Sequence, residues 1–224
     1  MLKGRIGEIF SSLQGEGIYQ GEKQVFVRFF DCNLDCKFCD TPQDSFREYS
    51  VEELFAQIKA LGKDCHSISF TGGEPLLQVD FLKEIIALCR QHRKKIYLET
   101  NGTLPDALEE IIDLVDIVAM DFKLPSSTQA GNFWFTHKKF LRIAAQKEVF
   151  VKAVICKFTE ERDVQKATEI IKSVGMNIPL ILQPNFFEQG EELTRKMEGY
   201  KKYCQRHLSD VRIIPQLHKV LYYR

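Results

Sequence analysis

Three cysteines stand within eight positions of this 224-residue sequence, and together their side chains could hold a metal. Cys32, Cys36 and Cys39 have the spacing C-x3-C-x2-C, whereas the other four cysteines lie far apart. Soft thiolates bind zinc and iron–sulfur clusters, but structural zinc normally takes four protein ligands. Three thiolates on a cubane cluster would leave one iron open to an outside ligand. The spacing therefore favours such a cluster, and a structural zinc site is the alternative.

The sequence places no fourth ligand near these cysteines. The nearest later candidates, Cys65 and His66, stand at the start of the next predicted strand and so at its opposite end. Cys89 falls on an apolar helical stripe and is predicted to be inert core packing. The stretch FFDCNLDCKFCDT, residues 29–41, is thus the candidate for metal binding.

The bulk composition is that of an ordinary soluble globular protein. Hydrophobic residues make up 44% and charged residues 28%, and Lys+Arg balance Asp+Glu at 31 each. This balance predicts no nucleic-acid or membrane partner and favours a small-molecule substrate. No stretch has the length of a signal peptide or a membrane span, so we expect a cytoplasmic protein. Reducing conditions there disfavour structural disulfides.

Strands and helices alternate along the chain. Seven short β-branched or aromatic runs predict strands. They cover 25–30, 66–70, 95–99, 116–120, 149–155, 179–183 and 211–214. Segments of helical periodicity lie between these strands, at 50–61, 78–92, 105–114, 133–146, 160–174 and 190–208. About six strand–helix repeats predict a parallel sheet, either doubly wound or curled into a barrel.

Boundary signals mark the first helix and the domain as a whole. Ser50 and Glu53 have the spacing of a capping box, and Gly62 marks the helix end. No low-complexity tract or Pro/Gly-rich linker divides the sequence, so residues 1–224 are predicted to form a single domain. Residues 1–24 precede the first clear strand–helix unit, and we expect this extension to be an added hairpin or loop.

Polar and glycine-rich motifs follow six of the seven predicted strands. After the cysteine stretch come TGGEP (71–75), TNGT (100–103), DFK (121–123), QPN (183–185) and PQLHK (215–219). In parallel α/β folds the loops at the carboxyl ends of the strands converge on the ligand site. The six motifs therefore predict one shared pocket.

The combination of C-x3-C-x2-C with T-G-G-E-P resembles the radical S-adenosylmethionine (SAM) superfamily. The resemblance implies a partial (β/α)6 barrel of the TIM type and a [4Fe–4S] cluster held by Cys32, Cys36 and Cys39. SAM would bind the fourth iron, and an electron from the cluster would cleave it to a 5′-deoxyadenosyl radical. Glu74 would then lie near the ammonium group of SAM.

Further motifs resemble the 7-carboxy-7-deazaguanine synthase family within that superfamily. They are SSLQGEGIYQGEKQVFVRF at 11–29, C-D-T at 39–41, and T-N-G, D-x-K, Q-P and P-Q-x-H-K at the later strand ends. The match covers essentially the whole chain. It implies conversion of 6-carboxy-tetrahydropterin to 7-carboxy-7-deazaguanine with loss of ammonia, on the route to queuosine and related 7-deazapurines.

This resemblance gives expected roles to the residues at the matching positions. The pterin would contact Leu13, Gln14, Gly15, Glu16, Arg28, Thr71 and His218. The SAM cavity would be lined by Phe38, Cys39, Asp40, Gly73, Glu74, Asp121, Phe122, Lys123 and Gln183. Arg28 suits a substrate carboxylate because its planar guanidinium can pair with both oxygens. For two of these residues a structural role is the alternative: Glu16 as a turn carboxylate and His218 as a structural histidine.

Thr41 resembles the Mg2+ ligand of the family. A hard cation keeps several waters, so one hydroxyl beside substrate oxygens is an adequate protein contribution. Taken without the family, Thr41 is predicted to be a turn residue before Pro42. The resemblance also implies a homodimer and an electron donor of the flavodoxin or ferredoxin type.

Some positions depart from the family pattern. Many relatives have Gly at the position of Asp31 and Trp at that of Phe38, and the charge of Asp31 could shift the cluster potential. Some relatives end on a residue whose carboxylate touches substrate, but this chain ends in LYYR, and we do not carry that contact over. Two rival functions stay open: a glycyl-radical activase with the same cysteine spacing, and a non-catalytic iron–sulfur or zinc module.

Overall fold

A mixed nine-stranded sheet is the framework of the computed structural model, which describes residues 2–40, 44–188 and 190–217. The strands are β1 (Gly4–Leu13), β2 (Lys23–Phe29), β3 (Arg47–Tyr49), β4 (Ser67–Gly72), β5 (Ile96–Thr100), β6 (Ile117–Asp121), β7 (Glu148–Ile155), β8 (Leu180–Pro184) and β9 (Val211–Ile213). Their order across the sheet is β3-β1-β2-β4-β5-β6-β7-β8-β9. Strands β2 and β4 to β9 run parallel, and β1 pairs antiparallel with β2 and β3. Within the described ranges β3 and β9 are the two edges, so the curled sheet is an open barrel.

Helices connect the parallel strands and cover the outside of the sheet. They are α1 (Val51–Leu61), α2 (Val79–Gln91), α3 (Pro105–Ile111), α4 (Pro125–Thr128), α5 (Trp134–Ala144), α6 (Glu161–Val174) and α7 (Glu191–Cys204). Single 3-10 turns lie at Gly17–Tyr19, Pro75–Gln78 and Ile112–Leu114. Six strand–helix units therefore precede β9, and the predicted partial (β/α)6 barrel is confirmed.

The start of α1 shows how local sequence fixes an element. The Ser50 hydroxyl accepts from the Glu53 amide at 3.2 Å, and the Glu53 carboxylate accepts from the Ser50 amide at 2.8 Å, so the predicted capping box is confirmed. Leu54 and Ile58 lie on the face that is fully buried against the sheet. Cys89 of α2 is likewise fully buried, as predicted for core packing.

The seven predicted strands and six predicted helices are all present, and the differences are in short elements. The sequence patterns did not predict β3, which has three residues, or α4, which has four. Such lengths are too short to show a period. In the described part of the expected extension, β1 forms a hairpin with β2, and β1 is a ten-residue strand of the main sheet. That residues 1–224 are one domain stays a prediction.

The inside of the barrel is layered because alternate residues of each strand point inward. A lower, apolar layer consists of inward residues near the amino ends of the strands: Tyr97, Ile117, Ala119, Phe150 and Ile181. The next inward residue towards the carboxyl end is polar on β5, β7 and β8: Glu99, Lys152 and Gln183. The apolar layer thus lies directly below the polar residues inside the barrel.

The connection between β1 and β2 closes the barrel from below. Ile18 and Tyr19 pack against the apolar layer, and the Tyr19 and Tyr97 rings meet edge to face with centroids 5.8 Å apart. Gly17 has φ +66°, and a Cβ there would lie 2.5 Å from the Phe150 ring. Glycine is needed at this point because both the backbone conformation and the space exclude a side chain. In the described residues no helix is long and apolar enough to cross a membrane.

Candidate active site

A cavity of about 260 Å3 opens at the carboxyl ends of the parallel strands. Fifteen of the residues singled out in the sequence line it: Leu13, Gln14, Gly15, Glu16, Arg28, Cys32, Cys36, Phe38, Cys39, Asp40, Thr71, Gly73, Asp121, Lys123 and Gln183. They come from the β1–β2 connection, the cysteine stretch and the ends of β2, β4, β6 and β8. The structure therefore brings the motifs at these strand ends together around one pocket, as the sequence predicts.

The cysteine loop, residues 31–40, forms the upper rim of this cavity. Cys32, Cys36 and Cys39 are free thiols in a segment without helix or strand. Burial raises the pKa of Cys36 to about 11 and also raises the pKa of Cys32. Both thiols therefore keep their protons at neutral pH unless a metal displaces them.

The glycine-rich TGGEP loop packs directly against this rim. The Gly73 amide donates to the Phe29 carbonyl at 2.9 Å, and the Glu74 amide donates to the Asp31 carbonyl at 2.8 Å. A Cβ on Gly73 would lie only 1.8 Å from the Asp31 carbonyl oxygen. Gly73 thus lets the two loops approach each other, which is a reason for glycine that the sequence alone did not indicate.

Glu74 ties the ends of β4 and β5 together below the rim. Its carboxylate is fully buried and accepts from the Thr100 hydroxyl at 2.9 Å, the Asn101 amide at 2.8 Å and the Leu76 amide at 3.1 Å. Burial outweighs these hydrogen bonds and raises the pKa of Glu74 to about 7. Glu74 is behind the cavity wall, so its expected contact with SAM stays a prediction, and the visible contacts are structural.

Asn101 connects Glu74 to the cysteine loop. Its side-chain amide donates to Asn33 at 2.9 Å and lies 3.9 Å from the Cys32 sulfur. From behind, the buried His137 ring donates from Nε2 to the Asn101 carbonyl at 3.1 Å. Burial lowers the pKa of His137 to about 4, so the imidazole is neutral there. Phe122 stacks on His137 with ring centroids 4.7 Å apart and lies behind the cavity wall rather than in it.

A largely buried ion pair lies on the β6 side of the cavity. Lys123 is 2.9 Å from Asp121, and its ammonium lies 5.7 Å from the centre of the Phe38 ring. Burial disfavours the charged lysine, but Asp121 and Cys36 outweigh it and raise the pKa of Lys123. Asp121 Oδ1 and Gln183 Oε1 are buried acceptors without a hydrogen-bond partner in the described structure. Both could accept from N–H or O–H groups of a ligand.

The floor of the cavity is a hydrogen-bonded group around Glu99. Its carboxylate accepts from the Gln14 amide at 2.7 Å, the Thr71 hydroxyl at 2.9 Å and the Ser69 hydroxyl at 3.3 Å. Gln14 in turn accepts from the Glu16 backbone amide at 3.0 Å. The β1–β2 connection is thereby attached to the middle of the sheet.

Glu16 and Lys152 form an ion pair at the same level. Lys152 on β7 donates to one carboxylate oxygen of Glu16, and Gln216 donates to the other at 2.6 Å. Gln216 also donates to Asp40 at 3.1 Å. Burial alone would raise the pKa of Glu16, but the charge of Lys152 and the two hydrogen bonds lower it below its usual value. The carboxylate of Glu16 is therefore ionised at neutral pH.

Arg28 enters the cavity from the end of β2. Its Nε is 3.2 Å from a Glu8 carboxylate oxygen, without the geometry of a hydrogen bond, so this buried N–H has no acceptor in the part of the chain that the structure describes. The guanidinium lies 5.6 Å from the centre of the Phe10 ring. A planar cation with an unused donor is suited to an anionic ligand group.

Comparisons with known proteins agree with this geometry. A model of the Radical SAM superfamily matches residues 27–181. A 7-carboxy-7-deazaguanine synthase of Geobacter sulfurreducens is 38% identical, and the alignment covers 96% of this chain and 95% of that protein. One of Methanothermobacter thermautotrophicus is 32% identical over 99% of this chain and 98% of that protein.

The chain belongs to the 7-carboxy-7-deazaguanine synthase family of the Radical SAM superfamily. It is therefore a radical SAM enzyme that works with a [4Fe–4S] cluster and SAM. Among solved structures, the crystal structure of QueE from Escherichia coli superposes with a TM-score of 0.69 at 21% identity, over 97% of this chain and 96% of that one. This likeness supports the barrel fold.

The residues present fit the cluster and SAM of a radical SAM enzyme. Three free thiols line one side of the cavity, and the lining contains no fourth sulfur or imidazole among the described residues. No three His, Cys, Asp or Glu side chains in that part of the chain converge on a single ion position. Cubane thiolates bind three different irons, so they do not need to converge on one point. The cavity also offers the unpartnered acceptors on Asp121 and Gln183 to a polar cofactor.

Two residues with an expected role in the 7-carboxy-7-deazaguanine synthase family keep that role as a prediction. Thr41, the expected Mg2+ ligand, and His218, an expected pterin contact, lie outside the described residues. Their roles stay predictions. The nearest described neighbour of His218 is Leu217, whose amide donates to the Gly15 carbonyl at 2.8 Å.

Sequence reasoning missed two charged residues that line the pocket of this radical SAM enzyme outside every predicted motif, Glu99 and Lys152, and it gave no individual role to Asn101 of TNGT or Gln216 of PQLHK. Glu99 and Lys152 are single charged residues inside the apolar strand sequences IYLET and VFVKAVI. Burying a charge in a strand is costly unless it is paired. That pattern could have indicated both residues, whereas the meeting of Gln216 with Glu16, 200 positions apart, leaves no local signal.

Proposed function

We propose that this radical SAM enzyme converts 6-carboxy-5,6,7,8-tetrahydropterin to 7-carboxy-7-deazaguanine with release of ammonia. One observation carries the proposal. The Q-G-E segment (residues 14–16), Arg28 and the three cysteines belong to separate motifs, and they line the same cavity. The curated relatives that span nearly the whole chain carry this activity in their name. The product would serve the synthesis of queuosine or another 7-deazapurine.

Cys32, Cys36 and Cys39 would hold the cluster. When bound, the cluster supplies the electron that cleaves SAM to methionine and a 5′-deoxyadenosyl radical. Lys123 lies close enough to Cys36 to favour its thiolate form. The amide of Asn101 points to Cys32, where an N–H···S contact would stabilise the sulfur's negative charge. Asp121 and Gln183 would accept hydrogen bonds from SAM with the oxygens that have no partner among the described residues.

The floor would bind and orient the pterin. Arg28 would pair with the carboxylate at C6, since Arg28 lines the cavity and its buried Nε–H has no acceptor among the described residues. Gln14 and Thr71 are held by Glu99 at fixed positions, so they can contact the ring without losing side-chain freedom on binding. The packing of Ile18 and Tyr19 under the floor would keep solvent away from the radical.

Six further assignments belong to this proposal. Thr41 would contribute one oxygen to Mg2+ beside the substrate, which suits a cation that keeps most of its waters. The enzyme would work as a homodimer, receive its electron from a flavodoxin- or ferredoxin-type protein, and act in the cytoplasm as a single domain. Leu13 and Gly15, which line the cavity, would complete the wall beside the pterin.

An anaerobic assay tests the activity. The purified chain, reconstituted with iron and sulfide, is incubated with the pterin, SAM, a chemical reductant and Mg2+, and products are identified by mass spectrometry. We expect 7-carboxy-7-deazaguanine and pterin-dependent 5′-deoxyadenosine. Turnover only with a protein substrate would instead support an activase, and a colourless zinc-loaded protein would support a binding module.

In the same assay, the variant Arg28→Gln tests whether Arg28 binds the pterin carboxylate. Loss of the bidentate partner should raise the KM for the pterin about 30-fold while cluster absorbance is unchanged. Arg142→Gln, on the exposed face of α5, is the matched control and should behave as wild type.

Omission of Mg2+ tests the assignment of Thr41: turnover that is equal with and without the ion would contradict it.

A further inference from the structure

We propose that Lys152 is a positioning residue of the substrate site, which fixes the Glu16 carboxylate at the cavity floor so that it accepts hydrogen bonds from N–H groups of the pterin. The inference rests on the proposed function and names a residue that no motif of the family resemblance includes. Lys152 itself is engaged by Glu16, so its effect on substrate would pass through that carboxylate.

The position of the pair supports this role. Lys152 lies on β7, with 8% of its side chain exposed, and Glu16 lies on the β1–β2 connection, with 17% exposed. Their contact joins residues 136 positions apart and attaches the Q-G-E segment to the middle of the barrel. Both side chains line the cavity instead of the apolar core. The ion pair thus sets where the carboxylate stands relative to a bound ligand.

Glu16 keeps free acceptor capacity in this arrangement. One carboxylate oxygen accepts from Lys152 and the other from Gln216, and each oxygen has a second lone pair. The pterin ring presents N–H donors on its pyrimidine edge and on its reduced ring. An ionised carboxylate held at the cavity surface is a strong acceptor for such donors.

Charged side chains on the neighbouring elements determine the ionisation of Lys152 and Glu16. Lys152 faces Glu16, Asp121 on β6 and Glu99 on β5, and Lys123 opposes it from beyond β6. Burial would lower the pKa of Lys152, but Glu16, Asp121 and Glu99 together raise it. Glu16 faces Lys152, the neutral Gln216, and Asp40, whose charge acts against that of Glu16. Lys152 is the cation that keeps Glu16 ionised.

A purely structural role would not require these charges. Replacing both partners of a buried ion pair by apolar residues is often neutral or stabilising, because each charge loses hydration on burial. The inward neighbours of Lys152 on β7, Phe150 and Val154, are apolar, so the strand could carry an apolar residue between them. An ion pair at this position is better explained by the ligand that it faces.

The test compares Lys152→Met and Lys152→Arg with wild type in the reconstituted enzyme, with the tetrahydropterin, SAM and Mg2+. In Lys152→Met we expect the KM for the pterin to rise about 30-fold and kcat to change less. Without Lys152, burial raises the pKa of Glu16, so the KM should fall again as the pH increases, whereas the wild-type KM stays flat. Lys152→Arg should restore the KM to within about threefold of wild type because it keeps the charge.

A double-mutant cycle with Glu16→Gln separates this effect from folding. If Lys152 acts through Glu16, adding Lys152→Met to Glu16→Gln should change the KM by less than about twofold. Lys139→Met, which removes an exposed lysine paired with Asp106, is the matched control and should have the wild-type KM.

Three outcomes would overturn the inference. They are a wild-type KM and pH profile in Lys152→Met, equal losses in Lys152→Arg and Lys152→Met, and additive effects in the double mutant. Failure of wild type itself to convert the pterin, with the cluster and SAM cleavage intact, would instead reject the proposed function. The two failures are therefore distinguishable.

Discussion

The rim and the floor of the cavity differ in how they are held. The rim, residues 31–40, has six exposed residues and no buried one, and it contains neither helix nor strand. Its backbone contacts include Cys39 to Cys36 at 2.9 Å and Lys37 to Thr128 at 3.0 Å. The floor, made by Gln14, Glu16, Thr71, Glu99 and Lys152, has no exposed residue, and each side chain has a named partner.

This difference indicates two ways of building one site. The floor is preorganised by strand geometry, since its groups project from neighbouring strands and are already hydrogen-bonded to each other. The rim carries soft ligands on an irregular loop, and a cluster would supply the bonds that the loop itself lacks. Changes in the rim should therefore affect the cluster more than the fold, and changes in the floor should affect both stability and substrate affinity.

The largest expected effect is at the rim. Cys36→Ala should reduce iron content and turnover to background, while the circular dichroism spectrum of the metal-free protein stays that of wild type. Cys65→Ala removes a partly buried thiol outside the cavity and should keep the cluster. Unfolding of the metal-free Cys36→Ala protein would contradict the view that the loop contributes little to the fold.

Glu74, which joins the rim to the sheet, should make stability depend on pH. Its pKa is about 7 in the folded protein, against about 4.3 in an unfolded chain. The folded protein therefore holds a proton that the unfolded chain has lost, and stability falls as the pH rises between these values. Glu74→Gln cannot titrate, so the stability of wild type relative to this variant should fall by roughly 3 kcal/mol across that interval.

Denaturant titrations of both metal-free proteins at several pH values measure this slope. The buried His137, with a pKa of about 4, contributes an opposite slope at acidic pH, but it is the same in both proteins and cancels in the difference. If the free energy of unfolding of wild type ran parallel to that of Glu74→Gln as the pH changes, the Glu74 carboxylate would be ionised in the folded protein throughout this pH range.

At the floor, Glu99→Ala should lower the free energy of unfolding by about 2 kcal/mol, because Gln14, Thr71 and Ser69 lose their common acceptor. The KM for the pterin should rise as well, since Gln14 and Thr71 are no longer fixed. Glu109→Ala on the exposed face of α3 is the control. A raised KM with unchanged stability would mean that the floor is not preorganised by this carboxylate.

The smallest effect is expected at the start of the rim. Asp31 has φ +73°, a conformation that favours glycine, and pairs with Arg5 at 2.5 Å. Asp31→Gly relieves the backbone but loses a half-exposed ion pair, so stability should change by less than about 0.5 kcal/mol. Asp31→Ala keeps the strain and loses the pair, and should be about 1 kcal/mol less stable than Asp31→Gly in thermal or chemical denaturation. Equal stability of the two variants would show that the backbone is not strained.

Much of the fold was predictable from the sequence because its signals are local. The period of apolar residues predicted the parallel strands and the longer helices, and Ser50 with Glu53 predicted the start of α1. The cysteine spacing predicted the rim, since three ligands within eight residues need no distant partner to be recognised.

Only the tertiary structure decided how the floor is assembled. Glu99 and Lys152 were hidden in strands that otherwise read as apolar, and Gln216 meets Glu16 across nearly the whole chain. Curling of the sheet determines which strand residues point inward at one level, and this arrangement depends on all the strands at once. The types and spacing of residues thus specified the iron–sulfur chemistry, whereas long-range packing specified the charged residues at the floor of the cavity.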